Sequence, residues 1–188
     1  MDTIILASGS PRRRELLTLA GIPFEISAAE VDERCGEPAS SAVRVLSARK
    51  AQAVRDLYPR RFVLAADTLV ELDGVSLGKP ASPEEAASML RRLSGRTHHV
   101  HTGVTVVSPA GDVWTDADCT DVTFGEIPEA EILSYVRSGE PLDKAGAYAV
   151  QGRASLWISR LEGSYSSVIG LPLFLVRTLL LRAGYMFD

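Results

Sequence analysis

The sequence predicts an α/β fold with a mixed, partly antiparallel central sheet flanked by helices. Three observations carry that expectation. The chain opens as a strand, a loop and a helix, because the apolar run 3–7 is followed at once by Ser8-Gly9-Ser10-Pro11 and then by leucines at helical spacing. Strand-like and helix-like segments then alternate along the chain. In the middle, two long alternating segments flank the turn Pro109-Ala110-Gly111-Asp112, so part of the sheet is antiparallel.

The elements follow in order. The first helix spans 12–20, with Leu16, Leu17, Leu19 and Ala20 on one side, Ser10 at the N-cap position, Pro11 at the first helical position and Gly21 beyond the end. Residues 23–26 form a second strand, and 27–41 a polar loop containing Val31-Asp32-Glu33-Arg34. A helix runs from Ser40 or Ser41 to about Tyr58, where Pro59 stops it. Its apolar positions Val43, Leu46, Val54 and Leu57 leave Lys50 on the apolar stripe. Residues 62–66 are a buried type of strand continued by 68–72, and Asp73-Gly74 signals a hairpin turn. Ser82 caps a helix that runs from Pro83 through Leu93 to Gly95. The alternating strands are 97–108 and 113–124. A helix covers 128–137, a loop or short helix 143–152, a strand 155–161 and a last helix 171–183.

Composition narrows the class. The 188 residues are 46% hydrophobic and 23% charged with a formal net charge of −4, which excludes an intrinsically disordered chain. That length fits one domain, or two lobes sharing a core. The sequence predicts no membrane span, since its longest apolar stretches are broken by Pro172 and Arg177, and its N-terminus reads as a strand rather than a signal peptide. Cys35 and Cys119 have no metal-ligand spacing and read as free thiols of a cytoplasmic protein. The mild acidity argues against broad nucleic-acid binding.

Three places could carry chemistry. Ser8-Gly9-Ser10-Pro11-Arg12-Arg13-Arg14 lies at a helix N-terminus, where unpaired N–H groups favour an anion and arginine forks match phosphate oxygens. Cations in a first turn oppose the helix dipole, and such local conflict marks function, although part of the run could be a solvated helix face. Asp67 ends an apolar strand, where a carboxylate can bind a divalent cation or take a proton from water; an ordinary turn aspartate fits equally well. Glu33 is a possible second acid. Lys50 and Lys79 are two of only three lysines in an arginine-rich chain, read either as phosphate contacts or as a packed stem and a surface charge. His98, His99 and His101 suggest a metal, but no matching Cys, His or Asp cluster follows at zinc spacing, which favours a solvent-facing strand.

Together the motifs Leu6-Ala7-Ser8-Gly9-Ser10-Pro11-Arg12-Arg13, Val31-Asp32-Glu33, Ala48-Arg49-Lys50-Ala51, Ala65-Ala66-Asp67-Thr68, Gly78-Lys79-Pro80, Leu93-Ser94-Gly95, Thr97-His98, Pro141-Leu142-Asp143-Lys144-Ala145-Gly146-Ala147-Tyr148, Gln151-Gly152 and Gly170-Leu171-Pro172-Leu173 resemble the Maf family of nucleoside triphosphate pyrophosphatases. The match is collinear from Ile4 to about Leu180. The resemblance implies an inosine-triphosphatase-like, Maf-type fold with two lobes around a cleft, one domain over 1–188, and a homodimer. It also implies hydrolysis of a nucleoside triphosphate to the monophosphate and pyrophosphate with a divalent cation, Mg²⁺, Mn²⁺ or Co²⁺.

By the same resemblance Asp67 is the proton acceptor, and Ser8, Arg12 and Arg13 form the phosphate loop. Glu33, Lys50 and Lys79 hold metal or phosphate, Glu33 and Asp67 being the metal ligands. Asp67-Thr68, Lys144-Ala145-Gly146-Ala147-Tyr148 and Gln151 resemble the branch that acts on dTTP and UTP, rather than the 7-methyl-GTP branch with its Asp-Gln and its Cys-Ala-Gly-Ser-Phe followed by Glu. Arg12, Thr68 and Gln151 fall at the positions associated with base choice. A carboxamide such as that of Gln151 offers a donor and an acceptor, as a uracil edge does. The competing expectation is a non-catalytic nucleotide-binding regulator of septum formation, which would have no need of Asp67 and Glu33 together.

Overall fold

The computed structural model describes residues 1–28 and 30–187. Seven strands form one sheet in the order β2-β1-β3-β5-β6-β7, with β4 paired to β3. The strands are β1 Ile4–Leu6, β2 Phe24–Ile26, β3 Val63–Leu72, β4 Val75–Leu77, β5 Thr97–Val107, β6 Val113–Phe124 and β7 Ile158–Glu162. β1 runs parallel to both β2 and β3, while β3 to β7 pair antiparallel, so the sheet is mixed as expected.

Odd residues of β3 face helix α2 (Ala39–Arg55), and even residues face the opposite side. Thus Val63 and Ala65 pack with Ala51 and Val54 of α2, while Leu64 and Ala66 join Leu16, Leu17, Val176 and Leu180. Farther along the sheet, Val70 and Leu72 join a separate cluster with Leu90, Phe124, Tyr135 and Trp157, contributed in part by α3 (Pro83–Leu93) and α4 (Glu129–Arg137). The separate cores lie along one continuous sheet, and the chain changes partners between them. β1 pairs with β3 only as far as Leu6 opposite Leu64, and β4 takes up the same edge only from Val70 opposite Leu77. The intervening edge of β3, which carries Asp67 and Thr68, is unpaired on that side, and the cleft opens there.

Local departures from expectation have local causes. α1 (Pro11–Leu19) has Pro11 in its first turn, but the Ser10 side chain makes no cap bond; instead the Ser10 backbone N–H donates to Ser8 Oγ at 3.3 Å. α2 starts at Ala39 and ends at Arg55, because turns at Leu57 and Tyr58 end it before Pro59 and leave Leu57 exposed. The strand expected over 155–161 is a 3₁₀ turn (Arg153–Trp157) followed by β7, Trp157 Nε1 donating to Glu131 at 2.6 Å. The helix expected over 171–183 is α6 (Leu173–Arg182), which begins after Pro172, and a short α5 (Tyr165–Ile169), unforeseen from the sequence, precedes it.

Candidate active site

The cleft encloses about 650 Å³, a volume suited to a small-molecule ligand. Its lining includes Ser8, Arg12, Arg13, Glu33, Lys50, Asp67, Thr68, Lys79 and Gln151, so the residues that the family resemblance assigns to the site converge here, while His98, His99 and His101 do not line it.

The loop between β1 and α1 is organised around Arg13. Its Nε donates to the Gly170 carbonyl at 2.8 Å, one Nη to Ser8 Oγ at 3.0 Å and the other to Thr68 Oγ1 at 3.3 Å. These bonds tie α1 to β3 and to the end of α5. Burial lowers the Arg13 pKa below the usual guanidinium value, with Asp67 opposing that shift and Arg12 adding to it. The Thr68 hydroxyl also meets Thr102 Oγ1 at 3.0 Å. Arg12 and Lys79 make no hydrogen bond or ion pair among the described residues, which leaves two cationic heads available to a ligand.

Asp67 is only 7% exposed. Its Oδ1 accepts from Lys50 Nζ at 2.5 Å, and the same ammonium lies 2.7 Å from Glu33 Oε1. Lys50 reaches this point because α2 lies close against β5. A Cβ on Gly103 would stand 2.1 Å from the Val43 carbonyl oxygen, and Ser47 Oγ meets Thr105 Oγ1 at 2.9 Å. The hydrogen bond from Lys50 holds the Glu33 carboxyl below the ordinary glutamate range, with Lys79 and Arg13 adding to the effect. At the far rim Lys144 Nζ bonds to Asp143 at 2.5 Å and to the Glu140 carbonyl at 2.6 Å, lowering the Asp143 pKa.

A family model described as Maf-like protein matches residues 3–183. The chain belongs to the Maf family. Its curated relatives include the dTTP/UTP pyrophosphatase of Geobacillus sp. (strain WCH70), 51% identical over 175 residues that cover 92% of this chain and 94% of that one. The proteins of the same name from Bacillus cereus (strain G9842) and Bacillus mycoides (strain KBAB4) are each 50% identical over 175 residues, covering 92% of this chain and 91% of theirs. Among solved structures, the Staphylococcus aureus Ham1 protein aligns over 96% of this chain and 99% of its own with a TM-score of 0.55. At 14% identity that likeness concerns the fold alone.

This Maf chain also uses residues that sequence reasoning did not single out. Glu140 accepts from the Tyr135 hydroxyl at 2.9 Å and from the Arg153 backbone N–H at 3.2 Å, which fixes both ends of the segment that carries Gln151. Tyr148, whose pKa burial raises, lines the cleft and shares a 2.8 Å hydrogen bond with His98 Nε2. The histidines correct an expectation. His98 and His101 are buried rather than solvent-facing, and the β5–β6 register brings Cys119 and Asp121 to the face of His99. Spacing along the chain could not show this, because the meeting is made across strands.

Proposed function

We propose that this chain hydrolyses nucleoside triphosphates between the α- and β-phosphates, acting on dTTP, UTP and related or modified pyrimidine nucleotides. The observation that carries the reading is the Lys50 ammonium between Asp67 and Glu33, beside an arginine loop at a helix N-terminus. The curated names of relatives that align over nearly the whole chain support the reaction and the substrate branch.

Asp67 and Glu33 already share a cation, and two such carboxylates are the oxygen donors that a hard divalent ion takes. They would hold Mg²⁺, Mn²⁺ or Co²⁺, which when bound polarises phosphoryl oxygens. Asp67 takes the proton of the attacking water as its oxygen bonds to the α-phosphorus and the bond to the bridging oxygen breaks. Arg12, Arg13, Lys50 and Lys79 stabilise the charge gathered on the leaving pyrophosphate, with Ser8 in the same phosphate loop. Gln151, Thr68 and Arg12 select the base. The reading extends to one catalytic domain over 1–188, working as a cytoplasmic homodimer without nucleic-acid or membrane partners. In support, one sheet runs through all three core clusters, and no described helix is long and apolar enough to cross a membrane.

The test is a pyrophosphate-release screen over standard and modified triphosphates with each of the three metals. Release from dTTP and UTP is expected. Preference for 7-methyl-GTP overturns the branch, and tight nucleotide binding without release favours the regulator.

A further inference from the structure

The pairing of β5 with β6 assembles donors that lie far apart in sequence. His99 stands opposite Asp121 and His101 opposite Cys119, and because strand residues two apart share a face, all four project from the same side. Glu71 of β3 is the partner of His99 on its other flank. His99 Nδ1, Cys119 Sγ and an Asp121 carboxylate oxygen lie within 4.8 Å of one another. His99 Nδ1 and Asp121 Oδ1 are already in contact at 2.6 Å.

We propose that His99, Cys119 and Asp121 bind a thiophilic divalent metal ion of the Zn²⁺ class at a site separate from the cleft. The argument is one of donor chemistry and rigidity. Imidazole nitrogen, thiolate sulfur and carboxylate oxygen are the three ligand types of zinc sites, whereas Mg²⁺ and Ca²⁺ take oxygen alone. Zinc bonds of roughly 2.0–2.3 Å in a tetrahedron separate ligand atoms by roughly 3.3–3.8 Å. The three donors therefore close on an ion by side-chain rotation, without moving the strands that hold them. Partial burial, followed by the negative charges of Asp121, Asp118 and Glu71, raises the Cys119 thiol pKa, and those same charges attract a dication, whose binding displaces the thiol proton. Beside the triad, buried His101 has an Nε2 without a hydrogen-bond partner, its distance to the Glu71 carboxylate being 3.6 Å. Three protein ligands leave the fourth position for water, which suits a site at the surface: Cys119 is exposed and His99 and Asp121 are half-buried.

The site is distinct from the catalytic carboxylates. Asp67 and Glu71 share one face of β3 but stand four residues apart, about 13 Å along the strand. The cleft carboxylates Asp67 and Glu33 offer no sulfur, and that difference provides the test. Purified full-length protein, freed of metal, is titrated with Co²⁺, and the near-ultraviolet thiolate-to-cobalt absorption is followed. With the cleft first saturated with Mg²⁺, the band is expected to saturate at one equivalent of Co²⁺ and to be bleached by Zn²⁺. It should persist in Cys35→Ser, disappear in Cys119→Ser, and require about tenfold more Co²⁺ or beyond in His99→Ala. Cys119→Ser should keep its far-ultraviolet circular dichroism and its Mg²⁺-supported pyrophosphate release. Absence of the band in the unmodified protein overturns the site and reduces the triad to a surface ion pair. So does a band that Cys119→Ser retains or Cys35→Ser abolishes.

Discussion

Lys50 Nζ lies 2.5 Å from Asp67 Oδ1, joining α2 to β3 inside the cleft. Asp67→Asn keeps the shape of this contact and removes the charge and the proposed proton acceptor. Turnover should fall by about 10²–10⁴-fold, the usual worth of a positioned base. The fold should survive, because Lys50 keeps Glu33 at 2.7 Å. Pyrophosphate release and circular dichroism on the same preparation check both halves, and substantial retained activity would refute the role.

Lys50→Met tests the other partner. It strands a nearly buried carboxylate without its cation, so stability should drop by about 1–3 kcal/mol. Turnover should fall by about 10²-fold or more if Lys50 stabilises the leaving pyrophosphate as proposed. Glu33 gives an independent readout. Its carboxyl is held low chiefly by the Lys50 hydrogen bond, so in the variant it should rise toward the ordinary value of 4.5. A depressed carboxyl contributes stability above its unfolded pKa and loses it as pH falls through the folded one, so the variant should lose this contribution. Carbon-detected NMR titration of Glu33 would show the shift; an unchanged titration would contradict the pairing.

How far the sequence reaches depends on how local each feature is. The β1–loop–α1 unit was legible because Pro11, the arginine run and the leucine spacing act within a few residues of one another. Lys50 was legible as an oddity on an apolar stripe, but not its contact with Asp67, which needs α2 to lie on β3. The start of the last helix follows from Pro172 alone, yet α5 before it is too short to show a period. The use of the Gly170 carbonyl by Arg13, and of Glu140 by the segment carrying Gln151, are tertiary meetings with no local signal. The metal-type triad was hidden for the same reason, since its members belong to different strands and meet only through register.

Gly103 marks the closest approach of helix to sheet. Gly103→Ala would bring a methyl group against the Val43 carbonyl, 2.1 Å away, where the obstacle is backbone and cannot swing aside. The variant should lose about 2–3 kcal/mol in urea denaturation. Because α2 carries Lys50, pyrophosphate release should fall as well. A variant of unchanged stability would show that α2 can lift from the sheet at little cost.

His98 gives the protein a pH-dependent stability. It is fully buried between Phe124 and Tyr148, and burial pulls its pKa from 6.5 to about 4. Between those values the unfolded chain binds a proton that the folded chain refuses, so stability rises with pH in that window. Conversely, stability falls as pH drops from 6.5 towards 4, by up to about 3 kcal/mol, and the His98 contribution levels off below that. His98→Phe removes the titration and should flatten this part of the profile, while costing the 2.8 Å bond to Tyr148 at every pH. Denaturation midpoints measured from pH 4 to 7.5 on both proteins separate the terms. Parallel profiles would assign the acid loss to other groups, Glu33 first among them.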